Sequence, residues 1–367
     1  MNRITAHIVI LILIFANACS NKSDIDLVPA YKPTPYKIEV PKGFPTNLNI
    51  PDDNPMTIEG IELGRTLFYD GRLAGRVSEG KFMSCSSCHI QENAFKIGLP
   101  RPYPIGIDGQ STHHAMLPLI NLVWNPGTFG WNGRVASIEE DVIAVITDPT
   151  EFGSSVASVE KAIGEIPGYS EMFKKAFGSE EVTVERISKA IAQFVRTLIS
   201  SDSKFDRYLR GEVQLTAAEL NGFVLFTTEE GADCFHCHGS AGNPLFTTHL
   251  FYNNGKDSLF SDPSDRYSIT GDPMQIGAYK ATTLRNIEFA APYMHDGRFN
   301  TLDDVINFYS HQLVWSTYID PLMHHISTGG SQLTAAEKAE LKAFLLTLSD
   351  TAFIHNPSFG APDEFPK

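Results

Sequence analysis

Two stretches of this chain, Cys85-Ser86-Ser87-Cys88-His89 and Cys234-Phe235-His236-Cys237-His238, repeat the pattern Cys-x-x-Cys-His. It is the pattern of covalent haem attachment: two thiols form thioethers to one porphyrin, and the adjacent His supplies an iron ligand. A zinc site would need four closed ligands, and no further cysteine pair completes either half. The five cysteines are these four plus Cys19, which leaves none for a disulfide framework. Two covalently attached c-type haems are therefore expected, with His89 and His238 as proximal ligands.

Cys19 belongs to a different signal. Residues 1–19 have a charged start at Arg3, an apolar run from Ile8 to Phe15, and small residues before the cysteine in Ala16-Asn17-Ala18-Cys19. The run is too short to span a bilayer and reads as a lipoprotein signal peptide, placing a mature protein on the periplasmic side of a bacterial membrane, lipid-anchored at Cys19. The alternative is an ordinary cleaved signal with a free periplasmic product. Residues 20–58 begin as a polar tether and carry repeated prolines, among them Pro33, Pro35, Pro41, Pro45 and Pro51, so they read as an extended arm or linker. The formal net charge of -14 argues against a nucleic-acid partner and suits a basic one such as a small cytochrome c, although solubility alone would explain it.

An internal repeat organises the remainder. Ile61-Glu62-Leu63-Gly64-Arg65-Thr66-Leu67-Phe68 precedes the first haem motif, and Leu220-Asn221-Gly222-Phe223-Val224-Leu225-Phe226 precedes the second. Each unit closes on a similar segment, Gln193–Ser200 and Lys342–Ser349. In the first closing segment Ile187, Ile191, Phe194, Val195 and Leu198 fall at helical spacing on one apolar stripe. The expected fold is mainly α, with two cytochrome c-like haem domains in tandem and long loops. Their bounds are 59–202 and 203–352, with the boundary near Ser201–Lys204 and a tail over 353–367.

From about residue 59 to 350 the chain resembles the bacterial di-haem cytochrome c peroxidases and their MauG-type relatives. The resemblance is carried by Leu63-Gly64-Arg65-Thr66-Leu67-Phe68-Tyr69-Asp70, Trp131-Asn132-Gly133-Arg134, Asp148-Pro149-Thr150-Glu151, Leu284-Arg285-Asn286 and Ala291-Pro292-Tyr293-Met294-His295-Asp296-Gly297. It implies that the N-terminal haem reacts with hydrogen peroxide, with Glu151 as the distal acid–base and Trp131 as the aromatic between the two haems. Arg134 and Arg285, inside matching motifs, are implied as cofactor-binding. Without the family context Glu151 would read as a solvated loop carboxylate and Trp131 as a packed core residue. The family's distal Gln is replaced by Asp141. His113 and His114 lie near the place of a blocking distal His, but their context differs from the peroxidase loop, which favours a five-coordinate iron. The resemblance also implies an interdomain calcium held by the backbone carbonyls of Ala290 and Pro292; Ala115 stands where the family uses an Asn side chain.

The main departure concerns the C-terminal haem. Fourteen residues after His295, where the Met-ligated branch has its axial thioether, stands Tyr309, the pattern of the MauG-like branch. A phenolate ligand favours ferric and higher states, whereas a thioether raises the potential. Met274, Met294 and Met323 are the rival ligands. The functional expectation is a peroxide-dependent oxidoreductase that draws electrons from a small cytochrome c or cupredoxin, or from a protein substrate. The alternatives are a Met-ligated cytochrome c peroxidase and a non-catalytic di-haem electron carrier.

Overall fold

Thr57 and Thr183 open the two helices that build the first half, each accepting a hydrogen bond from the backbone three residues on. The computed structural model describes residues 31–367. The expected leader, Cys19 and the tether as far as residue 30 lie outside the described residues. The first half contains α1 (Ile58–Tyr69), α2 (Ile138–Thr147), α3 (Val156–Gly164), α4 (Pro167–Phe177) and α5 (Val184–Arg196). The second contains α6 (Lys204–Leu209), α7 (Ala217–Thr227), α8 (Phe235–His238), α9 (Tyr267–Thr270), α10 (Leu302–His311), α11 (Ala335–Leu346) and α12 (Thr351–Ile354). Among the described residues the sheet is one antiparallel pair, β1 (Phe251–Tyr252) with β2 (Tyr279–Lys280). The fold is mainly α, as expected.

The repeat is physical as well as textual. α1 crosses α5, and α7 crosses α11. Leu63, Leu67 and Phe68 of α1 meet Ile187, Ile191 and Phe194 of α5 in one core, whereas Phe205, Phe226, Phe246 and Phe344 build the second. Each crossing turns on a glycine. A Cβ on Gly64 would lie 1.9 Å from the Ala190 carbonyl oxygen, and one on Gly222 1.9 Å from that of Glu340. Thr216 with Glu219, and Thr334 with Glu337, form capping boxes that start α7 and α11.

Three expectations need correction. The proline-rich arm is not a free linker over residues 33–58: Ile38, Phe44 and Met56 are buried with Val123, Trp124 and Leu245, so it packs on residues of both halves. Its prolines exclude helix and leave an extended segment whose apolar side chains are still buried. The tail is no tail either. Phe353, Ile354 and Phe359 belong to the first core, and Arg65 and Tyr69 of α1 donate to the carbonyls of Gly360 and Phe359 at 2.7 and 2.6 Å. Arg285, expected to bind cofactor, instead makes a bidentate ion pair with Asp206 at 2.8 and 2.6 Å and stacks over Phe44. A guanidinium 1 % exposed requires such a partner.

Replacing Gly64 by Ala gains about 1 kcal/mol of helix propensity. It also drives a methyl group into main chain that cannot rotate away, and overpacking costs about 1–3 kcal/mol. A lower thermal midpoint of the haem-loaded protein is expected for Gly64→Ala and Gly222→Ala. An unchanged midpoint would show that the helices separate freely.

Candidate haem sites and the residues between them

The two motifs present their histidines in the same way. Cys85–Ser87 is a single 3-10 turn and the second motif forms α8; His89 N donates to Cys85 O at 2.9 Å, and His238 N to Cys234 O at 3.1 Å. His89 Nδ1 lies 2.7 Å from the Phe95 carbonyl, and His238 Nδ1 3.0 Å from that of Thr282. A carbonyl only accepts, so Nδ1 carries the proton and Nε2 keeps its lone pair, as in a metal-ligating histidine. Burial pushes both rings down to about 4, which keeps them neutral at pH 7. The Phe95 carbonyl is aimed by two successive left-handed residues, Ala94 and Phe95, at φ 56° and 59°.

Both cavities suit a porphyrin. His89 shares its cavity with Cys85, Cys88 and apolar walls from Phe68, Leu122, Val142 and Val195. His238 shares its own with Cys234, Cys237, Phe226, Leu284 and Leu345. Burial pushes the Cys85 thiol up to about 12 and Cys88 to about 11, the reverse of a thiolate metal site. Each cavity thus has its own cysteine pair and a motif imidazole with a free Nε2 lone pair, which fits a c-type haem; the His238 cavity is also lined by His295, His324 and His325.

Apart from the motif residues, Asp141 and Glu151 are the titratable side chains lining the His89 cavity among the described residues. The Asp148-Pro149-Thr150-Glu151 turn is held by Asp148 Oδ1, which accepts from Thr150 N and Oγ1 at 2.8 and 2.7 Å. Gly106 lets a neighbouring segment press onto this turn, and Ile107 N donates to the Glu151 carbonyl at 2.8 Å. Glu151 is pushed up to about 7, by burial first and then by the Asp141 and Asp148 charges; Arg134 opposes this. Arg134 lines neither haem cavity, contrary to the cofactor-binding role implied for it. Its guanidinium stands 3.9 Å from Glu151, 3.7 Å from Asp141 and 3.9 Å from Asp148. A half-exposed cation beside three carboxylates is drawn to them rather than into an apolar cavity.

Trp131 lines the His238 cavity, donates from Nε1 to the Ala115 carbonyl at 2.6 Å, and sits 6.3 Å from the His295 ring. Tyr309, Met294 and Met323 line the same cavity, and Asn254 Nδ2 donates to the Tyr309 hydroxyl at 2.8 Å. Met274 is exposed and does not line it. Burial raises the Tyr309 phenol, while Asn254 lowers it. Neither candidate distal histidine lines the His89 cavity. His113 faces a polar cleft with Lys256 and Arg298, and His114 Nε2 is 2.7 Å from Asp262.

The carbonyls of Ala290 and Pro292 are already occupied. Lys96 Nζ donates to them at 2.6 and 2.7 Å. The side chain is 5 % exposed, and among the described residues no carboxylate pairs with it. A calcium ion at these oxygens would displace a buried ammonium and would lack the carboxylates it prefers, so the residues present do not fit the implied calcium. Lys96 follows Phe95, whose carbonyl tethers His89, and it reaches the loop that leads to His295.

Sequence reasoning missed Lys96, Asn254 and an aromatic cluster next to Trp131. In that cluster Tyr279 stacks on His295 at 3.5 Å and donates to Asp262 at 2.6 Å, with His114 edge-on to both rings. These residues come together from loops without periodicity. Only Lys96, a charged residue in the short stretch after a haem motif, gave a local signal.

The family model for di-haem cytochrome c peroxidase matches residues 58–214. The methylamine utilization protein MauG of Methylophilus methylotrophus is 30% identical over 309 residues, 84% of this chain and 88% of its own. The cytochrome c551 peroxidase of Nitrosomonas europaea is 35% identical over 69% of this chain and 73% of its own. The crystal structure of a MauG-like protein associated with microbial copper homeostasis superposes with a TM-score of 0.79 at 36% identity, covering 89% of this chain and 99% of that one. With two matching haem sites and this extent of similarity, the chain belongs to the di-haem cytochrome c peroxidase and MauG family of oxidoreductases.

Proposed function

We propose that this chain reduces hydrogen peroxide at the haem held by His89, with Glu151 as the proton-handling group and Trp131 coupling that site to the haem held by His238 and Tyr309. The observation that carries the reading is the pushed-up Glu151 carboxyl in the His89 cavity. The two haems supply the iron centres and the redox capacity. The protein supplies a carboxylate near its midpoint at neutral pH, able to take a proton from peroxide and return it to the leaving oxygen. Electrons come from a small cytochrome c or cupredoxin, or from a protein substrate oxidised at a distance. The chain acts on the periplasmic side of a bacterial membrane, anchored through lipid at Cys19; among the described residues no helix is long and apolar enough to cross a membrane.

A non-catalytic electron carrier would need neither Glu151 nor the charges that tune it. A Met-ligated peroxidase remains the second reading, because Met294 and Met323 line the cavity beside Tyr309. The ferric spectrum separates the classes: one high-spin haem for an enzyme with an open iron, two low-spin haems for a carrier.

Glu151→Gln is expected to keep both haems and slow the reaction with peroxide by about 10²–10⁴-fold, measured by stopped flow. In the wild type the rate should rise with pH through about 7, because the carboxylate is the form that accepts a proton. Removing the positive charge with Arg134→Gln should move that limb to higher pH, and Asp141→Asn should move it lower.

Tyr309→Met is expected to raise the reduction potential of the His238 haem and to slow peroxide-driven oxidation of a protein partner. If the substitution leaves spectrum and potential alone, one of the methionines is the ligand.

EDTA is expected to leave both ferric spectra and peroxide reduction unchanged, since an ammonium holds the Ala290 and Pro292 carbonyls. Lys96→Met keeps the aliphatic stem but strands two buried acceptors, a loss of about 1–3 kcal/mol in stability by chemical denaturation.

A further inference from the structure

We propose that Glu229, His236 and His324 form a binding site for one divalent late-transition cation of the zinc or copper kind, beside the His238 cavity. One ligand atom from each lies within 4.8 Å of the others. Two imidazoles and a carboxylate are a donor set suited to such ions and a poor one for calcium or magnesium. His236 stands between the cysteines of the second haem motif, yet neither it nor Glu229 lines the haem cavity, whereas His324 and Asp233 do.

Asp233 is what makes this more than a surface cluster. Its Oδ1 lies 2.6 Å from His236 Nδ1 and its Oδ2 3.2 Å from His324 Nδ1. Both rings turn Nδ1 toward one carboxylate, within reach of the outer-shell hydrogen bonds that orient ligating histidines though neither bond is formed here, and Nε2 is left for a ligand. His236 Nε2 is 3.6 Å from Glu229 Oε1, and the two rings meet edge to face at 5.1 Å. The close approach of Asp233 Oδ1 to His236 Nδ1 is too poorly angled for a hydrogen bond. Both buried atoms thus lack a hydrogen-bond partner, at a cost that a better-aligned arrangement would remove.

The backbone supports the same geometry. Asp233 adopts φ 55°, and His325 Nε2 lies 2.7 Å from the Glu229 carbonyl, which pins the Glu229 turn beside His324. A tetrahedral ion with bonds of about 2.0 Å would need its ligands about 3.3 Å apart. From separations of up to 4.8 Å the exposed Glu229 and His324 side chains must close by up to about 1.5 Å, which solvent-facing rotamers permit.

The test uses the full haem-loaded protein, stripped with EDTA and titrated with zinc sulfate by calorimetry, with zinc counted after gel filtration. One zinc per chain is expected, bound at least ten-fold more weakly by Glu229→Gln and by His324→Ala. Asp233→Asn keeps the backbone conformation but loses the charge that orients the rings, and should weaken binding about 10–100-fold. Haem content and ferric spectrum report whether each variant has folded. If His324→Ala loses haem, the exposed Glu229→Gln decides the matter alone. No zinc retained by the wild type, or equal retention by a folded Glu229→Gln, would overturn the site and leave an ordinary ion-pair cluster.

Discussion

A hydrogen bond from each proximal imidazole to a main-chain carbonyl is the constraint on which both halves depend. It sets the tautomer, fixes the ring plane and leaves Nε2 as the ligand. The bond from His89 needs the Phe95 carbonyl to point back at the motif, which takes two left-handed residues in a row. The bond from His238 instead reaches Thr282, 44 residues along the chain and two residues past β2. The first tether is local and the second spans a long excursion. That excursion carries Asp262 and Tyr279, which meet His295 from the following loop beside Trp131.

The buried charges are handled in three ways, and the contrast separates structure from chemistry. Arg285 has a bidentate carboxylate and stays an ordinary ion pair. Lys96 has only carbonyls, enough to satisfy donors but not to neutralise a charge, and burial pushes it down to about 7. Glu151 has a guanidinium held almost 4 Å away and two like charges nearby, so its proton is loosely owned. A carboxylate in that position is a poor structural element and a suitable proton carrier.

Much of this was legible in the sequence where the chemistry is local. The haem motifs and the helical stripe of α5 are short-range patterns. Their roles follow from covalent chemistry and a 3.6-residue period. Glu151 and Trp131 were legible only through resemblance, since a loop carboxylate and an aromatic carry no periodic signal. Arg134 and Arg285 were misread because both lie inside motifs that also build haem sites, and motif membership does not say which way a long side chain points. Lys96, and the packing of the arm and tail, depend on contacts between residues hundreds apart. No window of sequence contains both partners.

The position of Phe353, Ile354 and Phe359 in the first core ties the first half to the far end of the chain. The first half cannot close its interior with its own residues, because a strip of that interior is encoded beyond the entire second half. Residues 353–360 complete that interior by docking on α1, and Phe353 packs edge-on against Phe95, whose carbonyl tethers His89. The far end of the chain thus stands directly behind the first imidazole tether.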